Sequence, residues 1–204
     1  MVASVVEHPF ARARGPAPVA EAAETTFRDA MRQLARGVSI VTFGAGGSRA
    51  GFTATSVTSL SSDPPSLIAC IPLGSPSLNA LRRSSSFAVN LLAADQQEYA
   101  EHFAGRSGLH GSERYPGGPW RPLPSGVLWL ANSIVAFDCE IEDRIERHTH
   151  AILIGRVWRV FMGSGSGALI CWRGGYDQVG WSGDQIARAT GLSPVRSRLR
   201  KCAL

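Results

Sequence analysis

Apolar and polar positions along the chain mark out short strands with a few helices between them. Thr25 or Thr26 caps a helix over about 26–35, where Phe27, Met31 and Leu34 share one face at spacings of four and three, and Gly37 ends it. Residues 38–43 are rich in β-branched side chains and read as a strand, followed by a flexible Gly-rich hairpin loop at 44–48. Strands are predicted over 51–60 and 66–71, and a short helix from Ser75 to Arg83 with Leu78 and Leu81 facing in. A strand over 87–92 and a polar helix over 94–103 come next. Residues 104–125 form an irregular Gly-, Pro- and Ser-rich excursion around Tyr115 and Trp120, long enough to cover a site. Strands over 127–131, 134–145 and 150–161, a turn at 164–167 and a last strand at 168–172 complete the pattern. A short helix near 185–189 belongs to the tail.

Short antiparallel strands with two or three helices predict a mainly β fold, a barrel wrapped by helices. Strands and helices do not alternate regularly, which disfavours a doubly wound parallel sheet. The domain reading is a flexible segment over 1–23, one folded domain over 24–180 and a basic tail over 181–204.

The run Gly51-Phe52-Thr53-Ala54-Thr55-Ser56, then Ser61-Ser62-Asp63-Pro64-Pro65, carries the most chemistry. It spends strand positions on Ser and Thr rather than Val and Ile, which suits a core poorly. Hydroxyls and free backbone N–H groups hold an anionic ligand without a formal positive charge. A small cofactor lying against a sheet, outside the usual dinucleotide fold, follows from this.

Composition narrows the classes. The chain has 204 residues, 44% hydrophobic and 18% charged, enough for one substantial core. No apolar run approaches the roughly 18 residues that cross a bilayer, and the N-terminus lacks an apolar signal core. A cytoplasmic protein without membrane attachment is the expectation. The net charge of +5 is concentrated in the last segment, at Arg188, Arg196, Arg198, Arg200 and Lys201. No aromatic residues interleave there and no recognition helix precedes it, so no nucleic-acid partner is expected. Cys70, Cys139, Cys171 and Cys202 form no CxxC pair, and the first three read as reduced core residues.

Several motifs are decoys. Residues 163–168 fit G-x-G-x-x-A but lead into a strand, whereas a dinucleotide fingerprint opens a helix. His148 and His150 share a strand face without a third metal ligand at a telling spacing, so no metal is expected. Glu142, Asp143 and Glu146 among Arg144 and Arg147 read as a solvated turn. Asn90, inside an apolar strand, needs partners, either neighbouring backbone or a ligand.

In order along the chain stand FRDAMRQLARGVSIVTF (27–43), GFTATSVTSLSSDPPSLIAC (51–70), SPSLNALRRSSSFAVNLLAADQ (75–96), HTHAILIGRV (148–157) and CWRGGY (171–176). These collinear motifs resemble the flavin reductase-like family, which has an FMN-binding split-barrel fold. More narrowly, the chain is similar to the small reductase component of two-component flavin-dependent monooxygenases. The resemblance implies an antiparallel six-stranded split β-barrel and NAD(P)H-dependent reduction of free FMN or FAD, with NADH favoured. It also implies a homodimer and a separate monooxygenase that receives the reduced flavin.

The resemblance also assigns residues. Ala50, Gly51, Phe52, Thr53, Thr55 and Ser56 would lie along the flavin ring edge and ribityl chain, with Cys70 and Ile71 flanking the same ligand. Ser75 and Ser77 would take the flavin phosphate at the start of a short helix. His102 and Phe103 match positions that approach flavin, and His150 matches the catalytic-site histidine near the nicotinamide. Trp172, Arg173 and Gly174 match the segment that touches the dinucleotide. Two departures stand out: Pro76 where relatives place Arg or Lys, and His148-Thr149 where relatives place Gly and an acidic residue. Two other readings stay open: a split-barrel protein that retains flavin tightly or uses a deazaflavin, and a non-catalytic flavin-binding protein.

Overall fold

The computed structural model describes residues 24–105, 108–115 and 117–180. The predicted flexible segment at 1–23, the basic tail at 181–204 and the tail helix lie outside the described residues.

The described chain runs α1 (Glu24–Met31), β1 (Arg36–Gly37), β2 (Ser39–Phe43), β3 (Ala50–Ala54), β4 (Thr58–Ser62), β5 (Pro65–Pro72) and α2 (Leu78–Arg82). It continues with β6 (Ser86–Leu91), α3 (Gln97–Phe103), a 3-10 turn (Gly111–Arg114), β7 (Trp120–Pro122) and β8 (Leu128–Leu130). The long hairpin β9 (Val135–Arg147) and β10 (His150–Met162) follows, then β11 (Ala168–Trp172) and β12 (Gly175–Val179).

The principal sheet has seven strands in the order β3-β2-β6-β9-β10-β5-β4, every neighbouring pair antiparallel. The mainly β, split-barrel expectation stands, with seven strands in this sheet in place of six. Two smaller sheets, β1-β11-β12 and β7-β8, flank it.

The sequence pattern reads 51–60 as one strand; the structure breaks it into β3 and β4, at opposite edges of the sheet. Only Thr55, Ser56 and Val57 join them. Four residue steps span at most about 14 Å, so the sheet must curl until its two edges nearly meet. Ser56 causes the break. Its hydroxyl accepts from the Cys70 N–H at 3.0 Å and donates to the Cys70 carbonyl at 3.2 Å, replacing a ladder with a side-chain clasp.

Strand alternation then sorts the core. Ala50, Phe52 and Ala54 face the barrel interior with Val41, Ile71 and Leu153, while Gly51 and Thr53 face outward under α3. A second cluster, built on Ile40, Leu92, Phe103, Leu130 and Leu169, fills the space beneath α3. Asn90 is fully buried and satisfied by protein alone. Its amide donates to the Ile40 carbonyl at 3.0 Å and its Oδ1 accepts from the Leu130 N–H at 2.8 Å.

Three expectations need correcting. The first helix stops at Met31 and buries none of its residues; Phe27 is 60% and Leu34 53% exposed. Strand β12 follows the strand at 168–172, because Arg173 and Gly174, with φ of 51° and 83°, fold the chain back as a tight hairpin. Of the three described cysteines only Cys139 is buried; Cys70 and Cys171 are half-buried and all are free. The glycine run at 163–168 is a turn leading into β11, as expected. A Cβ on Gly163 would stand 1.9 Å from the Ser133 carbonyl oxygen, so glycine is required there by close backbone packing.

Candidate functional site

The seam where β3 meets β5 collects most of the residues singled out in the sequence. Ser56 and Cys70 clasp one end of it. At the other end the Ser77 hydroxyl donates to the Gly51 carbonyl at 2.9 Å. Ser75 supports Ser77, its hydroxyl accepting from the Ser77 N–H at 3.3 Å. Helix α3 lies over the outer face of β3. There Thr53 donates to the Ala100 carbonyl at 2.6 Å, and the Phe103 ring rests directly on Gly51.

The structure divides these residues by access. Phe52, Ile71 and Phe103 are core side chains, exposed by 5%, 0% and 1%, so they hold the seam from behind and offer a ligand only their backbone. Thr53, Thr55, Ser56, Cys70, Ser75 and His102 are half-buried, so part of each side chain is reachable from outside. The Nδ1 atom of His102 is buried without a protein partner among the described residues.

His150 opens β10 at the same rim. It stands opposite Pro72 in the register, with Ala151 opposite Ile71. Its Nδ1 lies 2.9 Å from the Thr149 hydroxyl, which fixes the ring, and the imidazole is exposed. Trp172, Arg173 and Gly174 are not part of the seam. They form the β11–β12 turn against α1, where the Trp172 indole N–H donates to the Gln33 carbonyl at 3.2 Å. Arg173 stacks over the Trp172 ring at 4.6 Å and is held by the Gln33 side chain.

Sequence reasoning missed three residues, Arg49, Arg83 and Arg114. Arg114 is 2% exposed, yet no carboxylate pairs with it among the described residues. Its Nη1 donates to the Gly51 carbonyl at 2.9 Å, the Phe103 carbonyl at 3.2 Å and the Ser77 hydroxyl at 3.3 Å, and its Nε to the Leu109 carbonyl at 2.9 Å. Desolvation lowers its pKa from the ordinary arginine value. A buried cation held only by neutral acceptors is stabilised by an anion placed beside it.

Such a place exists. Arg114 lines a cavity of about 220 Å³ together with Arg49, Arg83, His110, Ser77 and Ala50. The Nε of Arg49 is buried and unpartnered among the described residues, while its guanidinium lies over the Tyr115 ring at 5.2 Å. Burial pushes the Tyr115 phenol up, the Arg49 cation pulling the other way. The phenol donates to the Ala50 carbonyl at 2.7 Å, tying the excursion to β3. Only the length of that excursion signalled its role. The arginines lie far apart in sequence and share no periodicity. Pro76 lines the same cavity.

A seam of hydroxyls and carbonyls ending in a three-arginine cavity suits a flat polar ring with a phosphorylated tail. The seam supplies hydrogen-bonding groups and a rim histidine that can position a reactive ligand. Among the described residues no group of His, Cys, Asp or Glu is placed to hold a metal ion, and no helix is long and apolar enough to cross a membrane.

The flavin reductase like domain matches residues 31–180. The FMN reductase (NADH) RutF 2 of Methylorubrum extorquens strain PA1 is 41% identical over 146 residues, 72% of this chain and 84% of that protein. The crystal structure of BorF, the flavin reductase component of a bacterial two-component tryptophan halogenase, superimposes with a TM-score of 0.72 at 27% identity. The match covers 78% of this chain and 100% of BorF. The NADH:FAD oxidoreductase SgcE6 of Streptomyces globisporus C-1027, in complex with NAD and FAD fragments, gives 0.68 at 26% identity. It covers 76% of this chain and 91% of SgcE6.

Proposed function

The chain belongs to the flavin reductase-like family, and from that premise we propose that it oxidises NADH to reduce free FMN or FAD and hands the reduced flavin to a separate monooxygenase. The observation that carries this reading is the buried Arg114 facing an arginine-lined cavity at the end of the β3–β5 seam.

In this reading the flavin ring and ribityl chain lie along the seam, against Thr53, Thr55, Ser56 and Cys70, with the phosphate in the cavity of Arg49, Arg83 and Arg114. A bound flavin supplies the electron-accepting ring, and the reduced nicotinamide supplies the two electrons. The chain's own part is geometry. Ser56 is held by both backbone groups of Cys70 and keeps the two sides of the seam in register. His150, its ring fixed by Thr149, orients the nicotinamide at the rim. Ser77 and Arg114 share the Gly51 carbonyl and so couple the phosphate end to β3. Holding two ring systems in stacking contact is worth a large fraction of such a barrier without any residue of unusual acidity.

The test is steady-state oxidation of NADH and NADPH with FMN, FAD and riboflavin. Arg83 is exposed and lies at the cavity mouth. Replacing it by alanine removes a charge-assisted contact to phosphate, so R83A raises KM for FMN about ten-fold and leaves riboflavin, which has no phosphate, unchanged. An equal effect on both flavins, or none on FMN, removes the phosphate assignment. No flavin-dependent oxidation of either nicotinamide removes the reductase reading.

The assembly in this reading is a cytoplasmic homodimer. Support comes from α1, whose Phe27 and the nearby Leu34 are exposed among the described residues. Light scattering is expected to give twice the 21.7 kDa chain mass; a single-chain mass rules the dimer out.

A further inference from the structure

We propose that a cavity between α1 and the β1–β11–β12 sheet binds an aromatic carboxylic acid. This site stands apart from the seam and does not depend on the flavin reading. Its volume is about 590 Å³, within the range of small-molecule sites. Helix α1 buries none of its residues, so it stands off the sheet beside it. Spacings of three and four bring Phe27, Arg28 and Met31 to one helix side, which lines the cavity in place of a packed core. The facing wall carries Arg36 and Cys171, directly opposite each other in the β1–β11 ladder, and Arg173 of the β11–β12 turn lines it as well.

Four arginines, at 28, 32, 36 and 173, line this space, and their pairing selects the ligand's charge. Arg28 is paired with Glu24 and Arg32 with Asp29, both pairs exposed on the helix. Arg36 and Arg173 have no carboxylate partner among the described residues. The Nε of Arg36 is buried and unpartnered among those residues. The Arg173 Nε donates to the neutral Gln33 side chain at 3.1 Å, and its guanidinium is stacked on Trp172. Two guanidiniums on one cavity, each lacking an anion, are matched by a single carboxylate that accepts from both.

The remaining lining selects the ligand's body. Phe27, Met31 and Cys171 present a ring, a thioether and a thiol to the same space. Sulfur and ring edges favour a flat aromatic group over an aliphatic one, and guanidinium faces add stacking surface. Phe27 is exposed and Met31 and Cys171 are half-buried, so apolar area remains to be covered. An inorganic anion would leave that area wet. A neutral arene would leave the buried Arg36 Nε unpaired. An aromatic acid answers both.

The test is calorimetric titration of the full chain with naphthoate, its neutral amide and cyclohexanecarboxylate. Naphthoate is expected to bind, and the amide and the alicyclic acid to bind about ten-fold more weakly. Arg36→Gln removes one guanidinium and weakens naphthoate about ten-fold. Phe27→Ala, on a helix with no buried residue and so without a core to disturb, weakens it roughly five-fold. Arg121→Gln, at an exposed arginine outside the cavity, leaves binding unchanged. Bound naphthoate also slows alkylation of Cys171 by iodoacetamide, read by peptide mass spectrometry. Equal affinity for acid and amide, or unchanged binding in both R36Q and F27A, overturns the proposal. So does displacement of naphthoate by NADH, which would return the cavity to the dinucleotide that Arg173 and Gly174 match by resemblance. Flavin kinetics and R83A do not enter this test, so the two readings fail separately.

Discussion

Gly51→Ala is expected to lower the stability of the fold by about 3 kcal/mol, and its melting temperature by on the order of 10 °C. Gly51 is not needed for an unusual backbone angle. A Cβ there would stand 2.7 Å from the Phe103 Cε1 and 2.7 Å from the Val41 carbonyl oxygen. The second contact cannot relax by a rotamer change, because Val41 belongs to β2, the ladder partner of β3. The first could relax only by moving Phe103, which also packs edge-on against Tyr115 with ring centroids 4.9 Å apart. Either way the change pushes β3 off β2 or lifts α3 from the seam. Urea titration measures the loss. Gly37→Ala is the control: it is exposed, nothing lies within 4 Å of its Cβ position, and its stability should be unchanged. Equal stability of G51A and the parent would show that Phe103 is not locked against β3.

Arg114→Met is expected to cost about 3 kcal/mol of stability and to raise KM for FMN well above ten-fold. The substitution keeps length but leaves the Leu109, Phe103 and Gly51 carbonyls without their shared donor. It also removes the buried cation from the arginine-lined cavity. Arg114→Lys should not restore either property, because one ammonium cannot span acceptors that the guanidinium reaches from both Nε and Nη1. Thermal unfolding and flavin kinetics on both variants provide the check. A fully active R114K would reduce Arg114 to a point charge and remove the geometric argument.

The strands of the sheet were legible because their β-branched and alternating patterns are local. The places where the reading failed are those where a distant partner decides. Residues 51–60 look like one strand, and only Cys70, fourteen positions beyond Ser56, makes that hydroxyl end it. Phe27, Met31 and Leu34 carry a helical stripe, but the pattern cannot say that Phe27 and Leu34 are left exposed among the described residues. The Ser- and Thr-rich run at 51–56 falls along the β3–β5 seam, where Ser56 clasps Cys70 and Thr53 bonds α3. Its apolar members were less legible. Phe52, Ile71 and Phe103 stand beside the site in sequence, yet alternation and close packing turn them into the core. Arg49, Arg83 and Arg114 come from three separate segments, and only the fold brings them to one cavity.

The Thr55–Val57 crossing shapes how the protein can admit a large planar ligand. No backbone ladder joins β3 to β5 among the described residues; the two are fastened by the hydroxyls of Ser56 and Ser77 and the Arg114 guanidinium. Each hydroxyl fastening is worth about 1 kcal/mol and the guanidinium more, so the end clasped by Ser56 can breathe without melting a strand. The three-residue tether keeps both margins close throughout, which makes reclosure entropically cheap and returns every side chain to its original partner.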